Sequence, residues 1–108
     1  MTTRLDIVEY ICEQLNGAGE VSYKKMFGEY MVYLEGKPIF LICDDNLYVK
    51  INAVTTSLLG ADYDTGYPYS GAKLHYSIDF LDDKDRMIEL GKALEKITPI
   101  PKQRKRKA

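Results

Sequence analysis

Three short runs of apolar and aromatic residues follow one another in the middle of the chain: Tyr30–Leu34, Ile39–Cys43 and Leu47–Ile51. Two polar breaks, Glu35–Pro38 and Asp44–Asn46, separate them. The runs hold residues that suit a pleated, half-buried surface, and the breaks hold residues that tolerate tight or positive-φ backbone. The pattern predicts a three-stranded antiparallel meander. In the first run Tyr30, Val32 and Leu34 fall on one face, Met31 and Tyr33 on the other. The second run is apolar at nearly every position, as expected of a central strand covered on both faces. Its neighbours are then half exposed, with Tyr33, Tyr48 and Lys50 on the outer face. Pro38 is tolerated because it begins its strand.

The flanking segments switch period. From residue 3 to 16, Leu5, Val8, Ile11, Cys12 and Leu15 recur at helical spacing, with Asp6, Glu9, Glu13 and Gln14 on the other side. Thr2 or Thr3 is the expected cap, and Gly17 is expected to end the helix in the left-handed conformation. Residues 20 to 28 connect this helix to the meander. Val21 and Tyr23 suggest a short extended piece, and Gly28 a bulge or close backbone approach. Asn52 caps a short helix over 53–59 whose apolar side is Val54, Leu58 and Leu59. The stretch 61–72 is too polar and Gly-rich for a regular element. Its Tyr63, Tyr67 and Tyr69 either offer contact surface or cover the end of the core. Leu74–Phe80 alternates as a strand with one wet face. Asp82 or Asp83 caps a last helix to about Ile97, with Met87, Leu90, Gly91, Leu94 and Ile97 as its buried stripe. The fold class is therefore α+β: an antiparallel meander sheet of about four strands packed with an amino-terminal and a carboxy-terminal helix.

Charge divides the chain in two. Residues 1–101 hold all 16 acidic residues and 10 of the 15 basic ones, so this single expected domain carries −6. Residues 102–108 form a basic tail, expected to be disordered, with Lys102, Arg104, Lys105, Arg106 and Lys107. Such a tail, with Lys24 and Lys25, is a candidate contact for nucleic-acid phosphates, or simply a solvated terminus. The acidic body opposes nucleic acid elsewhere. No apolar run approaches a membrane span, and the amino terminus has no apolar signal region, so the expected location is cytoplasmic.

Candidate chemistry is sparse. Cys12 and Cys43 are far apart and flanked by apolar residues, as buried free thiols are. His75 is the one histidine, on the polar face of an expected strand, and no serine is spaced as an activated nucleophile. Asp44-Asp45 and Asp62/Asp64 lack the glycine and terminal glutamate of a calcium loop. Gly17-Ala18-Gly19 is not a phosphate loop. The expectation is a non-enzymatic protein without cofactor or metal. Exposed tyrosines then become the candidate partner surface: Tyr33, Tyr48, Tyr63, Tyr67 and Tyr69.

One further pattern bears on function. Lys25-Met26-Phe27-Gly28-Glu29-Tyr30, then Val32-Tyr33-Leu34-Glu35-Gly36-Lys37, then Leu47-Tyr48-Val49-Lys50 resemble the amino-terminal domain of the TfoX/Sxy family, and Tyr67-Pro68-Tyr69 matches its later tyrosine pair. The likeness spans roughly residues 5 to 97. Glu29 and Met31 stand where that family more often has glycine. The resemblance implies a meander packed against helices, with Met26 and Phe27 in the core and Gly28 and Gly36 as backbone devices. It also implies a regulator of competence genes that works with a cyclic-AMP-receptor type activator, here as a stand-alone amino-terminal domain. It offers no catalytic residues. The expectation is a regulatory domain acting through protein contacts, with a homodimer allowed; a nucleic-acid-binding accessory is the alternative, and a small enzyme around His75 a third.

Overall fold

In a computed structural model of the chain, residues 4–26 and 29–99 are described, with the Met26 side chain excepted. Thr2, Thr3, Phe27, Gly28 and the basic tail lie outside them, and with them the expected bulge and tail contacts; the expected threonine cap is corrected, since the first helix begins at Leu5 with Arg4 at its N-cap and no side-chain capping hydrogen bond. Among the described residues the strands are β1 (Val21–Met26), β2 (Glu29–Leu34), β3 (Lys37–Cys43), β4 (Asn46–Lys50), β5 (Thr65–Gly66) and β6 (His75–Ile78). The α-helices are α1 (Leu5–Gln14), α2 (Ala53–Leu59) and α3 (Lys84–Ile97). The strands form one antiparallel sheet in the order β1-β2-β3-β4-β6-β5.

Two tight turns build the meander. Glu35 and Gly36 have φ of 54° and 79°, and Asp44 and Asp45 have φ of 52° and 65°. Both hairpins thus turn on two residues in the left-handed region, the geometry that matches the twist of the flanking strands. Glycine and aspartate reach it with little strain. The sheet is wider than the four strands expected. β1 runs the full length of β2, from Val21 opposite Leu34 to Met26 opposite Glu29. Its hydrophobic signal is weak because it is an edge strand, with Ser22, Tyr23, Lys24 and Lys25 all exposed. β5 is two residues long and leaves no periodicity to read.

One face of the sheet is the core. Tyr30, Val32 and Leu34 of β2, Phe40 and Ile42 of β3, Leu47 and Val49 of β4, and Tyr76 and Ile78 of β6 are buried against Val8, Ile11 and Leu15 of the α1 segment and Met87, Leu90 and Leu94 of α3. α2 joins the same side: its Thr56 hydroxyl is 2.8 Å from the Tyr76 hydroxyl. Gly91 brings α3 down onto this layer. A Cβ there would stand 3.0 Å from Leu15 Cδ2 and 3.6 Å from Leu34 Cδ2.

Several local expectations are corrected. β3 is central, but helices cover only one of its faces. Its unbroken apolar run has another cause: a register shift beside Val32 and Tyr33 makes Ile39 an extra residue, so Ile39 and Phe40 both turn toward the helices. The chain leaves α1 through a single 3-10 turn, Asn16–Ala18, and Gly17 does not take a positive φ. The turn satisfies the helix end itself, the Ala18 N–H donating to the Leu15 carbonyl, so the reversal falls at Gly19. In α2 the buried residue is Thr55, while Leu58 is exposed. Thr55 is drawn in by its hydroxyl, which donates to the Lys50 carbonyl (2.8 Å) and accepts from the Asn52 N–H, while Asn52 Oδ1 caps the Thr55 N–H. Asp83 caps α3 as expected, but Ile97 at its far end is exposed. β6 is shorter than expected, with Leu74 exposed.

Candidate functional site

Strand alternation puts every second residue of the meander on the face away from the helices. The registers align Lys24, Met31, Leu41, Tyr48 and Ser77 as one row directly across β1, β2, β3, β4 and β6. Tyr33 and Pro38 lie beside this row toward one end of the strands, and Glu29 and Cys43 toward the other. No helix among the described residues covers this face. Met31, Tyr33, Leu41 and Tyr48 are each half-buried on it. Three apolar or aromatic side chains in a row, with a fourth alongside, give this helix-free face an apolar centre.

Tyr48 is the hub of the row. A Cβ on Gly66 would stand 3.3 Å from its Cε1, so the ring reaches toward β5, from which the Tyr67–Tyr69 loop departs. Burial raises the Tyr48 phenol above its ordinary value, with Cys43 and Asp44 adding to it. Cys43 is closed in beside it: burial pushes its thiol up to about 12, helped by the neighbouring Glu29 carboxylate. Cys12, on α1, is pushed up to about 11 by burial and then by Glu9. Both thiols are therefore protonated at neutral pH, and neither is poised as a nucleophile.

The other candidate residues scatter. Tyr63 turns inward: its ring meets Tyr76 and Phe80 edge-on at 6.1 and 6.2 Å, and its hydroxyl donates to Asp79. Burial, with that hydrogen bond, raises its phenol to about 12. Tyr67 and Tyr69 are exposed, flanking the buried Pro68, and line a shallow hollow with Ser70, Gly71 and Ala72. The five tyrosines read as one surface thus divide: Tyr33 and Tyr48 on the open face, Tyr63 in the core margin, Tyr67 and Tyr69 on a loop. Met31 and Leu41 complete the open face and were missed by a search for tyrosines. Met31 was legible from the alternation of β2, whereas Leu41 needed the register. Lys24 and Lys25 are exposed on β1, without an ion-pair partner among the described residues. Neighbours in a strand, they point to opposite faces.

His75 is half-buried, its Nδ1 2.7 Å from the Lys73 carbonyl oxygen, which a donating ring N–H satisfies. Among the described residues, no group of three or more His, Cys, Asp or Glu side chains is placed to hold a metal ion. No helix among them is long and apolar enough to cross a membrane.

An α+β layer with its helices on one side and a bare antiparallel sheet on the other defines the class. The model of the TfoX N-terminal domain matches residues 13–95, and the chain belongs to that family. Over 108 residues it is also 27% identical to a protein of Spirochaeta aurantia described as an uncharacterized 12.7 kDa protein in the trpE 5′ region; the match covers 99% of this chain and 93% of that protein.

Proposed function

We propose that this chain is a non-enzymatic regulatory domain that acts by docking its helix-free sheet face onto a protein partner, a transcription activator of the cyclic-AMP-receptor type being the first to test. The observation that carries the reading is the one-sidedness of the fold. Antiparallel sheets commonly leave one face to water, and that face is then polar. Here its central row is Met31, Leu41 and Tyr48, with Tyr33 beside it. Aromatic and Met side chains ringed by polar groups are the composition of protein interfaces. A nucleic-acid role draws less support. Lys24 and Lys25 stand on opposite faces of an edge strand and cannot together track one phosphate backbone.

The test is calorimetric titration of the chain against a purified activator of that type, with Met31→Asp and Tyr48→Asp as variants. Each should weaken binding at least tenfold while the circular dichroism spectrum stays unchanged. Equal affinity for wild type and both variants sinks the reading. Binding to DNA alone that falls steeply with salt and survives both substitutions would favour the accessory role.

A further inference from the structure

The two edges of the sheet are unlike. β5 presents two residues, and its brevity protects it. β1 presents six, paired on one side only among the described residues. The phase of its outer groups follows from one hydrogen bond. The Glu35 N–H donates to the Glu20 carbonyl at 2.8 Å, which makes Glu20–Glu35 a hydrogen-bonded pair. Alternation then turns the N–H and C=O groups of Ser22 and Lys24 inward to β2, and those of Val21, Tyr23 and Lys25 outward. Three outward residues at every second position are a template for another strand.

The side chains along this edge show what would fit. α1 uses Tyr10 and Gln14 to reach the start of α3, through Asp82 and the Leu81 carbonyl. Its opposite flank, at helical spacing, holds Leu5, Glu9 and Cys12 and looks out over β1. Leu5 is 46% exposed on α1, and Tyr23 on β1 is 40% exposed, braced against Tyr30 with ring centroids 5.7 Å apart. The edge is thus an apolar strip between a free cation, Lys25, and an exposed carboxylate, Glu9, neither ion-paired among the described residues.

We infer that β1 pairs antiparallel with β1 of a second copy about a two-fold axis at Tyr23, giving one continuous sheet with both helix layers on the same side. A two-fold normal to the sheet keeps each side chain on its own face, so paired residues must have the same parity. The Tyr23-centred register satisfies all the outward groups: Tyr23 pairs with its own copy, and Val21 pairs with Lys25 in both directions. Ser22 then stands opposite Lys24. No lysine faces a lysine, whereas a register centred on Lys24 opposes two like charges and is disfavoured. Lys25 of each copy also comes beside the other copy's α1, whose exposed anions include Glu9 on the Leu5 flank. The ladder is short, so the dimer forms with rising concentration. It leaves the open face free and does not depend on what docks there.

Four experiments on the full chain test this. Sedimentation across a concentration series should show monomer giving way to dimer. Amide exchange should show Val21, Tyr23 and Lys25 fast when dilute and protected when concentrated, with Ser22 and Lys24 protected throughout. Tyr23→Cys places two thiols across a hydrogen-bonded pair about 5.5 Å apart between Cα atoms, within disulfide reach. On mild oxidation it should cross-link at least tenfold faster than Ser57→Cys on α2, with oxidised wild type as the baseline for the native cysteines. Lys25→Glu should weaken the dimer, and Glu9→Lys in the same chain should restore it. A chain that stays monomeric at the highest concentration overturns the inference; its lysines then guard the edge. So does a dimer that leaves those three amides unprotected.

Discussion

The two faces of this sheet are made from the same strands, and adjacent residues meet opposite fates. Phe40 is 1% exposed under the helices, while Leu41, the next residue, is half-buried on the bare side. The helix side is closed by interlocking: Gly91 admits Leu15 and Leu34, and the bulge at Ile39 fills the space beside them. On the bare side no helix among the described residues adds such a layer. Stability should therefore reside on one face, and the capacity to bind on the other.

The largest effect separates the faces directly. Phe40→Ala should cost about 3–5 kcal/mol in urea unfolding, whereas Leu41→Ala should cost about 1–2 kcal/mol. Equal costs would mean that something covers the bare side. Next comes the junction that hangs α2 on the helix side. Thr55→Val keeps the shape of a fully buried side chain but strips the Lys50 carbonyl and the Asn52 N–H of their partner, for about 1–3 kcal/mol. Asn52→Ala should cost about 1 kcal/mol through the lost cap. If Thr55→Val is neutral, apolar packing rather than the hydroxyl network holds α2.

Titration gives a subtler contrast. Tyr63 has its phenol raised from 10 to about 12 in the folded chain. The folded state then holds the proton more tightly than the unfolded one, so the contribution is full below pH 10 and is lost as pH climbs from 10 to about 12. Tyr63→Phe should flatten the fall in stability over that window; an unchanged slope would place the titration elsewhere. The smallest expected signal comes from the thiols. With Cys43 at about 12 and Cys12 at about 11, an aromatic disulfide reagent at neutral pH should label both far more slowly than free cysteine, and Cys43 more slowly than Cys12. Rapid labelling of Cys43 would show that its side of the sheet opens readily.

Much of this was written locally. The meander, the alternation of β2, the Asn52 and Asp83 caps and the stripe Met87–Leu90–Gly91–Leu94 follow from short-range pattern, because period, turn residues and caps act over a few positions. β1 left almost no trace, since an edge strand gains its partner on one side and keeps its polar residues in water. Thr55 could not be distinguished from its apolar neighbours, since the Lys50 carbonyl that draws it in becomes its partner only once the chain folds back.

By itself the sequence determined which residues are apolar, where the chain turns, and which family it belongs to. Only the tertiary structure decided that α1, α2 and α3 share one side. Each helix could have met either face of a sheet whose central strand is apolar at nearly every position. The choice was made by long-range contacts, Gly91 against Leu15 and Thr56 against Tyr76 among them, which have no counterpart in local sequence. That choice turned Met31, Tyr33, Leu41 and Tyr48 from core candidates into a surface.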